Sequence, residues 1–304
     1  MTKCTGCGIT LQDKQINENG YTPFIKNNLC QRCFKLKNYN ELTNKGVLIN
    51  NEKLIDKINK LDAFVFFLTD FINIDSTFIK YYQMIKANKM VIITKADIIP
   101  KNIKYSKLIS NIKNIYDINE DIILTSTKNN FNLKKIENLC KGLKKCVFVG
   151  FTNAGKSSLI NALVKSDITV SSKENTTQEL IKLKLDNTII YDAPGLIDNI
   201  NRENVPKKVI KPKVYQLLSK HYLLIDKVKL NIKENTNLTI YTSNDIKILR
   251  RKEASNVTCN VVVAQNSDVI IKGIGFIKFK DTALISLSTK DYEIRPSIIG
   301  GVYE

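Results

Sequence analysis

The stretch that decides the fold is Val147–Leu163, VFVGFTNAGKSSLINAL. It opens on an apolar run typical of the end of a buried strand, and apolar residues return at helical spacing after the glycines. Between them lies Gly-x-x-x-x-Gly-Lys-Ser, which in this strand–loop–helix setting predicts a phosphate-binding P-loop. Backbone N–H groups at a helix N-terminus attract phosphate oxygens. We therefore predict a nucleoside triphosphate site with contacts from Gly150, Thr152, Asn153, Ala154, Gly155, Lys156, Ser157 and Ser158.

The P-loop and a later tetrapeptide are expected to share the phosphate and metal chemistry. Lys156 is predicted to reach the β- and γ-phosphates, and Ser157 to place its hydroxyl on Mg²⁺. The sequence DAPG at 192–195 follows a predicted strand and fits the D-x-x-G pattern of GTPases. In that pattern Asp192 would orient Mg²⁺ through water, and the Gly195 N–H would sense the γ-phosphate.

A switch threonine is expected in the polar stretch NTTQ at 175–178. Thr177 is the predicted contact to Mg²⁺ and the γ-phosphate, with Thr176 as the alternative. Leu196 follows the D-x-x-G glycine, where many GTPases carry a water-orienting glutamine. An apolar residue there predicts slow intrinsic turnover, because other groups must place the attacking water.

Two loops upstream of the P-loop are predicted to recognise guanine. TKAD at 94–97 follows an apolar run and resembles the N/T-K-x-D loop, in which the Asp97 carboxylate would accept hydrogen bonds from guanine N1–H and N2–H. The Lys95 stem would pack against the ring. TSTK at 125–128 resembles the S-A-K loop, with threonine in place of alanine. The predicted base contacts are Thr94, Lys95, Asp97, Ser126 and Thr127.

The order of these loops differs from that of ordinary GTPases, which run from the P-loop to the base-recognition loops. Here the base-recognition loops come first. In an open parallel sheet all such loops leave the carboxyl ends of strands, so rejoining the chain elsewhere preserves the site. The chain therefore resembles the circularly permuted GTPases, and we expect a mostly parallel, doubly wound α/β domain over residues 46–208.

Two cysteine pairs predict a zinc finger over residues 1–45. Each Cys-x-x-Cys can hold one side of a Zn²⁺ ion from a tight turn. Ile9–Gln15 and Tyr21–Ile25 are predicted to form a short hairpin between the pairs, and a helix is expected after the second pair. So small a segment needs a metal to fold, which favours a treble-clef-like finger over four unliganded thiols. The predicted ligands are Cys4, Cys7, Cys30 and Cys33.

Residues 209–304 are predicted to form a β-rich domain. A basic stretch between Pro206 and Pro212 is interpreted as the linker to it. Arg250, Arg251 and Lys252 are expected in a loop or helix start, either contacting RNA or simply solvated. The predicted strands are Tyr222–Leu230, Leu238–Thr242, Asn260–Ala264, Asp268–Ile271, Gly275–Lys280 and Ala283–Leu287.

The charge balance favours a polyanionic partner. The 304 residues carry a formal net charge of +18, more than the ~2–8 charges that solubility requires of a small domain. A coding bias that spreads lysine over solvated faces is the competing explanation; the functional one is nucleic acid, which such a field attracts. No apolar run is long enough for a membrane span and the N-terminus is polar, so we expect a cytoplasmic protein that does not bind membrane. Of the nucleic acids we expect RNA and not DNA as the partner.

The whole chain resembles the YqeH family of circularly permuted GTPases. Beyond the motifs above, the similarity rests on CQRCFKLKNYNEL at 30–42, KPKVYQL at 211–217 and DVIIKGIGFI at 268–277. The resemblance implies GTP and GDP as ligands, slow GTP hydrolysis, and a role in assembly of the small (30S) ribosomal subunit. Nucleotide state would then control engagement of the particle, through ribosomal RNA or protein. Thr94 and Thr127 depart from the usual asparagine and alanine.

A second resemblance concerns potassium. Asn153 matches the asparagine that helps to hold K⁺ in potassium-activated GTPases, which implies that K⁺ takes the place of an arginine finger. Two other functions stay open. One is a different family of permuted ribosome-assembly GTPases, which commonly lack an N-terminal four-cysteine finger. The other is a nucleotide-gated RNA-binding scaffold in which hydrolysis is incidental.

Overall fold

The computed structural model describes residues 2, 4, 10–15, 20–23, 29–31, 50–164, 180–197, 204–219, 221–252 and 258–300. Several predicted features fall outside these ranges, namely the zinc ligands Cys7 and Cys33 and the switch residues Thr176 and Thr177. Of the predicted hairpin near the N-terminus, the described residues include an isolated parallel bridge between Gln12 and Tyr21. The antiparallel pairing expected there is therefore wrong for this pair of residues.

In the described part of 50–197, six strands form one sheet in the order β3-β2-β1-β4-β6-β5. All neighbours pair in parallel except β5, which runs antiparallel to β6. This agrees with the predicted α/β class. The strands are β1 Phe64–Asp70, β2 Lys89–Thr94, β3 Ile122–Leu124, β4 Lys145–Gly150, β5 Ile181–Leu185 and β6 Thr188–Asp192.

Helices cover both faces of this sheet. Successive side chains of its central strand point to opposite sides, and because these are apolar on both sides, each face must be buried. Val65 and Phe67 lie in one core with residues of α1, α2 and α3, whereas Phe66 and Leu68 lie in another with residues of α4 and α5. The helices are α1 Asn51–Asn59, α2 Ser76–Met84, α3 Tyr105–Tyr116, α4 Leu133–Lys141 and α5 Lys156–Val164. No helix among the described residues combines the length and apolar character needed to cross a bilayer.

The described residues from 213 to 296 form a sandwich of two antiparallel sheets. We call the sheet β16-β13-β14-β10-β7 the docking sheet and the sheet β11-β8-β9-β15-β12 the outer sheet. Their facing side chains make a separate apolar core. The strands are β7 Lys213–Leu217, β8 His221–Ile225, β9 Val228–Ile232, β10 Thr236–Thr242, β11 Ile248–Lys252, β12 Val261–Val263, β13 Ser267–Ile271, β14 Gly275–Phe279, β15 Ala283–Leu287 and β16 Tyr292–Pro296.

The docking sheet packs against the six-stranded α/β unit through aromatic rings. Phe71, directly after β1, has its ring centroid 5.4 Å from that of Phe276 and 6.4 Å from that of Tyr241. The latter two rings stack on each other at 4.9 Å. All three side chains are buried in the same apolar core, so the sandwich is joined to the α/β unit by packing as well as by the predicted linker.

Two expectations for the sandwich are wrong. The predicted strand Tyr222–Leu230 is a hairpin of two strands, turning at Asp226, which has a left-handed φ of 53°. Arg250 and its basic neighbours do not end a loop or begin a helix, because they lie on β11, an edge strand paired with β8.

Candidate functional site

The P-loop runs from the end of β4 to the start of α5. Asn153 and Gly155 adopt left-handed φ values of 65° and 79°, which turn the chain back over the helix N-terminus. At Gly150, where β4 approaches β1 closely, a Cβ atom would lie 2.6 Å from the Leu68 carbonyl oxygen. Both glycines of the motif are therefore required by backbone geometry. Among the other predicted phosphate residues, Ala154 is buried, Ser157 is half-buried, and Thr152 and Ser158 are exposed.

Lys156 and Asp192 lie side by side at the carboxyl end of the sheet. Their strands are neighbours, with Phe148 of β4 in register with Asp192 of β6. The Lys156 ammonium donates to Asp192 Oδ1, and the lysine is only 6% exposed. Charge-assisted pairs of this kind are strong when water is largely excluded. The ammonium is thus held where it can exchange a carboxylate oxygen for a phosphate oxygen.

The segment after DAPG is tied to the P-loop by its backbone. The Leu196 N–H donates to Gly150 O at 2.9 Å, and the Thr152 N–H donates to Leu196 O at 3.2 Å. A Cβ at Gly195 would lie 3.0 Å from Thr152 Cγ2, so glycine permits this approach. The Leu196 side chain is fully buried in the apolar core.

Asn51 holds the next residue of that segment, a contact that no motif indicated. Its side-chain carbonyl accepts from the Ile197 N–H at 3.0 Å, and its side-chain amide donates to Ile197 O at 2.5 Å. Asn51 is the first residue of α1, more than a hundred positions upstream in sequence. The amide side chain therefore mimics a paired strand, fixing the chain just beyond the predicted γ-phosphate sensor.

The TKAD loop contacts the P-loop directly. Thr94 Oγ1 lies 2.6 Å from Ala154 O and 3.0 Å from Thr69 O, and the Lys95 ammonium donates to Asn153 O. Lys95 has a left-handed φ of 54°. Loops from the two halves of the permuted domain therefore meet. Thr94 brings a single hydroxyl proton to two carbonyl oxygens, whereas the amide of an asparagine would bring two.

The predicted base-recognition carboxylate is oriented by the second loop. Ser126 Oγ donates to Asp97 Oδ1 at 2.5 Å, and the Lys128 ammonium is 4.0 Å from Asp97 Oδ2. The Ala96 N–H donates to Thr125 O at 2.9 Å, which joins the two loops through the backbone. Thr127, which lies between Ser126 and Lys128 in the second loop, is half-buried.

A cavity of about 840 Å³ opens beside Asp97. Its wall includes Tyr105 of α3 and, from the linker, Lys208 and Val209. Burial, and then the nearby Asp97 carboxylate, raises the pKa of the Tyr105 phenol. The predicted linker is fixed here, because the Ile210 N–H donates to Ile98 O at 2.8 Å.

Asp70 is a second functional candidate that the motifs missed. It ends β1, is buried, and pairs through Oδ2 with the Lys95 ammonium at 2.8 Å. Its other oxygen, Oδ1, accepts from the Ile72 N–H at 3.1 Å, the Asn73 N–H at 3.1 Å and the Asn73 side-chain amide at 2.8 Å. Its position at the carboxyl end of a central strand is the signal that sequence reasoning could have used.

The residues described near the N-terminus suit part of a thiolate site. Cys4 and Cys30 are both buried, and the Cys30 N–H donates to Cys4 Sγ at 3.2 Å. Hydrogen bonds of this kind orient the groups that ligate a metal. The described residues alone bring together no group of three or more candidate ligands. At the phosphate end, the Ser157 hydroxyl and Asp192 carboxylate are oxygen ligands of the kind that Mg²⁺ prefers.

Comparisons with known proteins match the part of the chain that carries this site. A family model described as "RsgA GTPase" matches residues 70–200, and one described as "50S ribosome-binding GTPase" matches residues 145–266. The chain is 32% identical over 248 residues to "Uncharacterized protein YqeH" of Bacillus subtilis, covering 70% of this chain and 67% of that protein.

More distant similarities cover smaller parts of the chain. The "tRNA modification GTPase MnmE" of Pelagibacter ubique is 35% identical over 105 residues, which is 33% of this chain and 23% of that protein. The crystal structure of YjeQ from Thermotoga maritima is 23% identical over 46% of this chain and 52% of that chain, with a TM-score of 0.34.

Proposed function

Because this chain belongs to the YqeH family of circularly permuted GTPases, we propose that it binds and hydrolyses GTP while engaging the small ribosomal subunit during its assembly in the cytoplasm. The observation that carries the proposal is the contact between the two halves of the site, Thr94 Oγ1 to Ala154 O at 2.6 Å. It supports one guanine nucleotide, with its base at Asp97 and its phosphates at Lys156.

The phosphate end is proposed to work by exchange of charge partners. Lys156 would leave Asp192 for the β- and γ-phosphates, which frees the carboxylate to orient the metal's water ligand. Ser157 and the switch residue Thr177 would complete the metal ligands, and Mg²⁺ when bound would neutralise charge on the phosphates. The Gly195 N–H would then report whether a γ-phosphate is present.

Turnover is proposed to be slow and stimulated by K⁺. Leu196 is buried, so it offers no polar group to place the attacking water. Asn153, exposed on the P-loop, is the proposed K⁺ ligand. We expect faster GTP hydrolysis in K⁺ than in Na⁺ at equal ionic strength, with the difference lost in Asn153→Ala. Equal rates in the two salts would remove K⁺ from the mechanism.

The N-terminal segment is proposed to hold structural zinc through Cys4, Cys7, Cys30 and Cys33. The buried Cys4 thiol with its backbone N–H donor supports this ligand set. We expect one zinc per chain by atomic absorption, lost in a Cys4→Ser/Cys30→Ser variant. Retention of zinc in that variant would contradict the assignment.

The outer sheet is the proposed RNA-facing surface of the C-terminal domain. Its five strands contain no Asp or Glu, and Arg250, Arg251 and Lys252 lie exposed along one edge. Arg251 is in register with Tyr222, whose ring lies 4.2 Å from the Lys229 ammonium. Basic and aromatic side chains on one sheet suit single-stranded RNA, which stacks bases while its phosphates pair with cations.

Co-sedimentation with purified ribosomal subunits tests the proposal. We expect binding to 30S particles that differs between a GTP analogue and GDP, and GTP turnover that is lost in Lys156→Ala. Binding to 50S particles alone would assign the protein to the other subunit. The buried Leu196 also supports a second candidate, a nucleotide-gated RNA-binding scaffold, for which turnover would stay slow with subunits present.

A further inference from the structure

We infer that Asp70 is a positioning residue for the nucleotide-binding Lys95, and that the C-terminal sandwich holds the segment carrying Asp70 through Arg295. The sandwich would thereby set how tightly guanine nucleotide is retained. This inference rests on the proposed nucleotide site and names a route by which a domain outside that site reaches it. The route runs to the base-recognition loop and does not pass through the D-x-x-G segment.

The first step of the route is electrostatic. Lys95 is held from two sides, by Asp70 Oδ2 at 2.8 Å and by the P-loop carbonyl of Asn153. Asp70 is buried, and its other oxygen is fully engaged by the turn that follows β1. The carboxylate therefore cannot follow Lys95 if the ammonium moves, and a shift of this turn would break the pair.

The second step is the hold of the sandwich on residues 71–76. The Arg295 guanidinium donates to Ile74 O, and the Phe71 ring packs on Phe276. Glu293 Oε1 accepts from the Ser76 N–H at 2.8 Å. All three contacts come from the docking sheet, two from β16 and one from β14. The turn that carries Asp70 is thus clamped along its length by another domain.

The third step is the buried pair that fixes Arg295 itself. Asp268 is fully buried and its Oδ2 lies 3.3 Å from Arg295 Nε. The same oxygen accepts from the Ile298 N–H at 3.1 Å, and Arg295 also donates to the Tyr116 hydroxyl at 3.1 Å. A buried ion pair favours one geometry strongly, because moving either partner leaves an uncompensated charge.

The three steps form a contiguous path from the sandwich to Lys95. A chain of contacts does not by itself measure energetic coupling. The decisive test is whether substitutions at the two ends of the path have non-additive effects on the free energy of activation for nucleotide release. A partner that displaced the sandwich would loosen the turn, release Lys95 from Asp70 and speed nucleotide release.

The experiment measures the GDP dissociation rate of four full-length proteins. They are wild type, Asp70→Asn, the double variant Asp268→Asn/Arg295→Met, which removes one charge of each sign, and the triple variant that combines them. Loss of a charge-assisted hydrogen bond predicts about tenfold faster release for Asp70→Asn. We expect the double variant to change release in the same direction, and the triple variant to be no faster than the faster of its parents. Rates that multiply in the triple variant, or a double variant identical to wild type, would overturn the inference.

Matched controls separate this result from damage and from failure of the proposed site. Asp226→Asn changes the net charge by the same amount on an exposed turn and should leave release unchanged. Asp70→Asn should speed release of GDP and inosine diphosphate by equal factors, because Asp97 still reads the base edge. If the double variant does not fold, Phe276→Leu loosens the same interface. If the wild-type protein fails to bind GDP, the proposed function is wrong. If it binds GDP and the variants release GDP at the wild-type rate, only this inference is wrong.

Discussion

The docking sheet and the outer sheet face each other across one core but present opposite chemistry on their other faces. Tyr241, Phe276 and Arg295 on the docking sheet are buried against the GTPase domain. The corresponding face of the outer sheet carries Tyr222 and Arg251, which remain accessible. One sandwich can therefore attach through one sheet while its other sheet stays open to a partner, because the outward-facing residues of the two sheets differ.

The difference can be traced to the alternation along single strands. In β14, GFIKF, Ile277 faces the sandwich core while Phe276 faces the GTPase domain, so apolar residues occupy both sides. In β9, VKLNI, Leu230 faces the core and Lys229 faces outward. A strand that is apolar on both faces needs a second partner, and a strand that is apolar on one does not.

Removal of a buried ring from the docking sheet should destabilise the protein most. Phe276→Ala should lower the free energy of unfolding by about 3–5 kcal/mol, because it removes the contacts to Phe71 and Tyr241 and leaves a cavity between domains. Tyr222→Ala on the outer sheet should cost less than about 1 kcal/mol. Chemical denaturation followed by circular dichroism measures both. Equal losses would erase the distinction between the two sheets.

The next effect concerns backbone space within the docking sheet. Gly275 has a φ of 149°, and a Cβ there would lie 2.2 Å from the Tyr241 carbonyl oxygen. We therefore expect Gly275→Ala to destabilise the protein by about 2–3 kcal/mol, since β14 must move away from β10. The control Gly142→Ala, where the nearest atom is 3.5 Å away, should be close to neutral. A neutral Gly275→Ala would mean that the docking sheet adjusts freely.

Much of the fold follows from local patterns, and the exceptions have physical causes. The apolar runs at β1, β2 and β4 predict buried parallel strands because both faces of that sheet are covered. The hairpin of β8 and β9 escaped prediction because its turn uses Asp226 in a left-handed conformation, without a glycine to mark it. β11 escaped because an exposed edge strand can be basic and still pair on one side.

The candidate site likewise contains some residues that the sequence predicts and others that it does not. The P-loop, DAPG and TKAD are predictable because each role needs particular residue types at fixed spacing. Asp70 and Asn51 are not, since each acts on a partner far away in sequence and neither belongs to a spaced motif. Only the assembled sheet places Asp70 beside Lys95 and the start of α1 beside Ile197.

The weakest of the predicted changes affects RNA binding and leaves the fold intact. Tyr222→Ala and Arg251→Ala should each weaken association with single-stranded ribosomal RNA by about 1–2 kcal/mol, through loss of stacking and of a phosphate contact respectively. Arg251→Ala should also reduce the slope of log affinity against log salt by about one, whereas Tyr222→Ala should leave the slope unchanged. Filter binding over a salt series separates these contributions. Lys280→Ala serves as the control, because it removes an exposed charge just after the docking-sheet strand β14. If Lys280→Ala alters affinity as much as Arg251→Ala does, the positive charge of the whole domain attracts RNA and the outer sheet is not a specific RNA-binding surface.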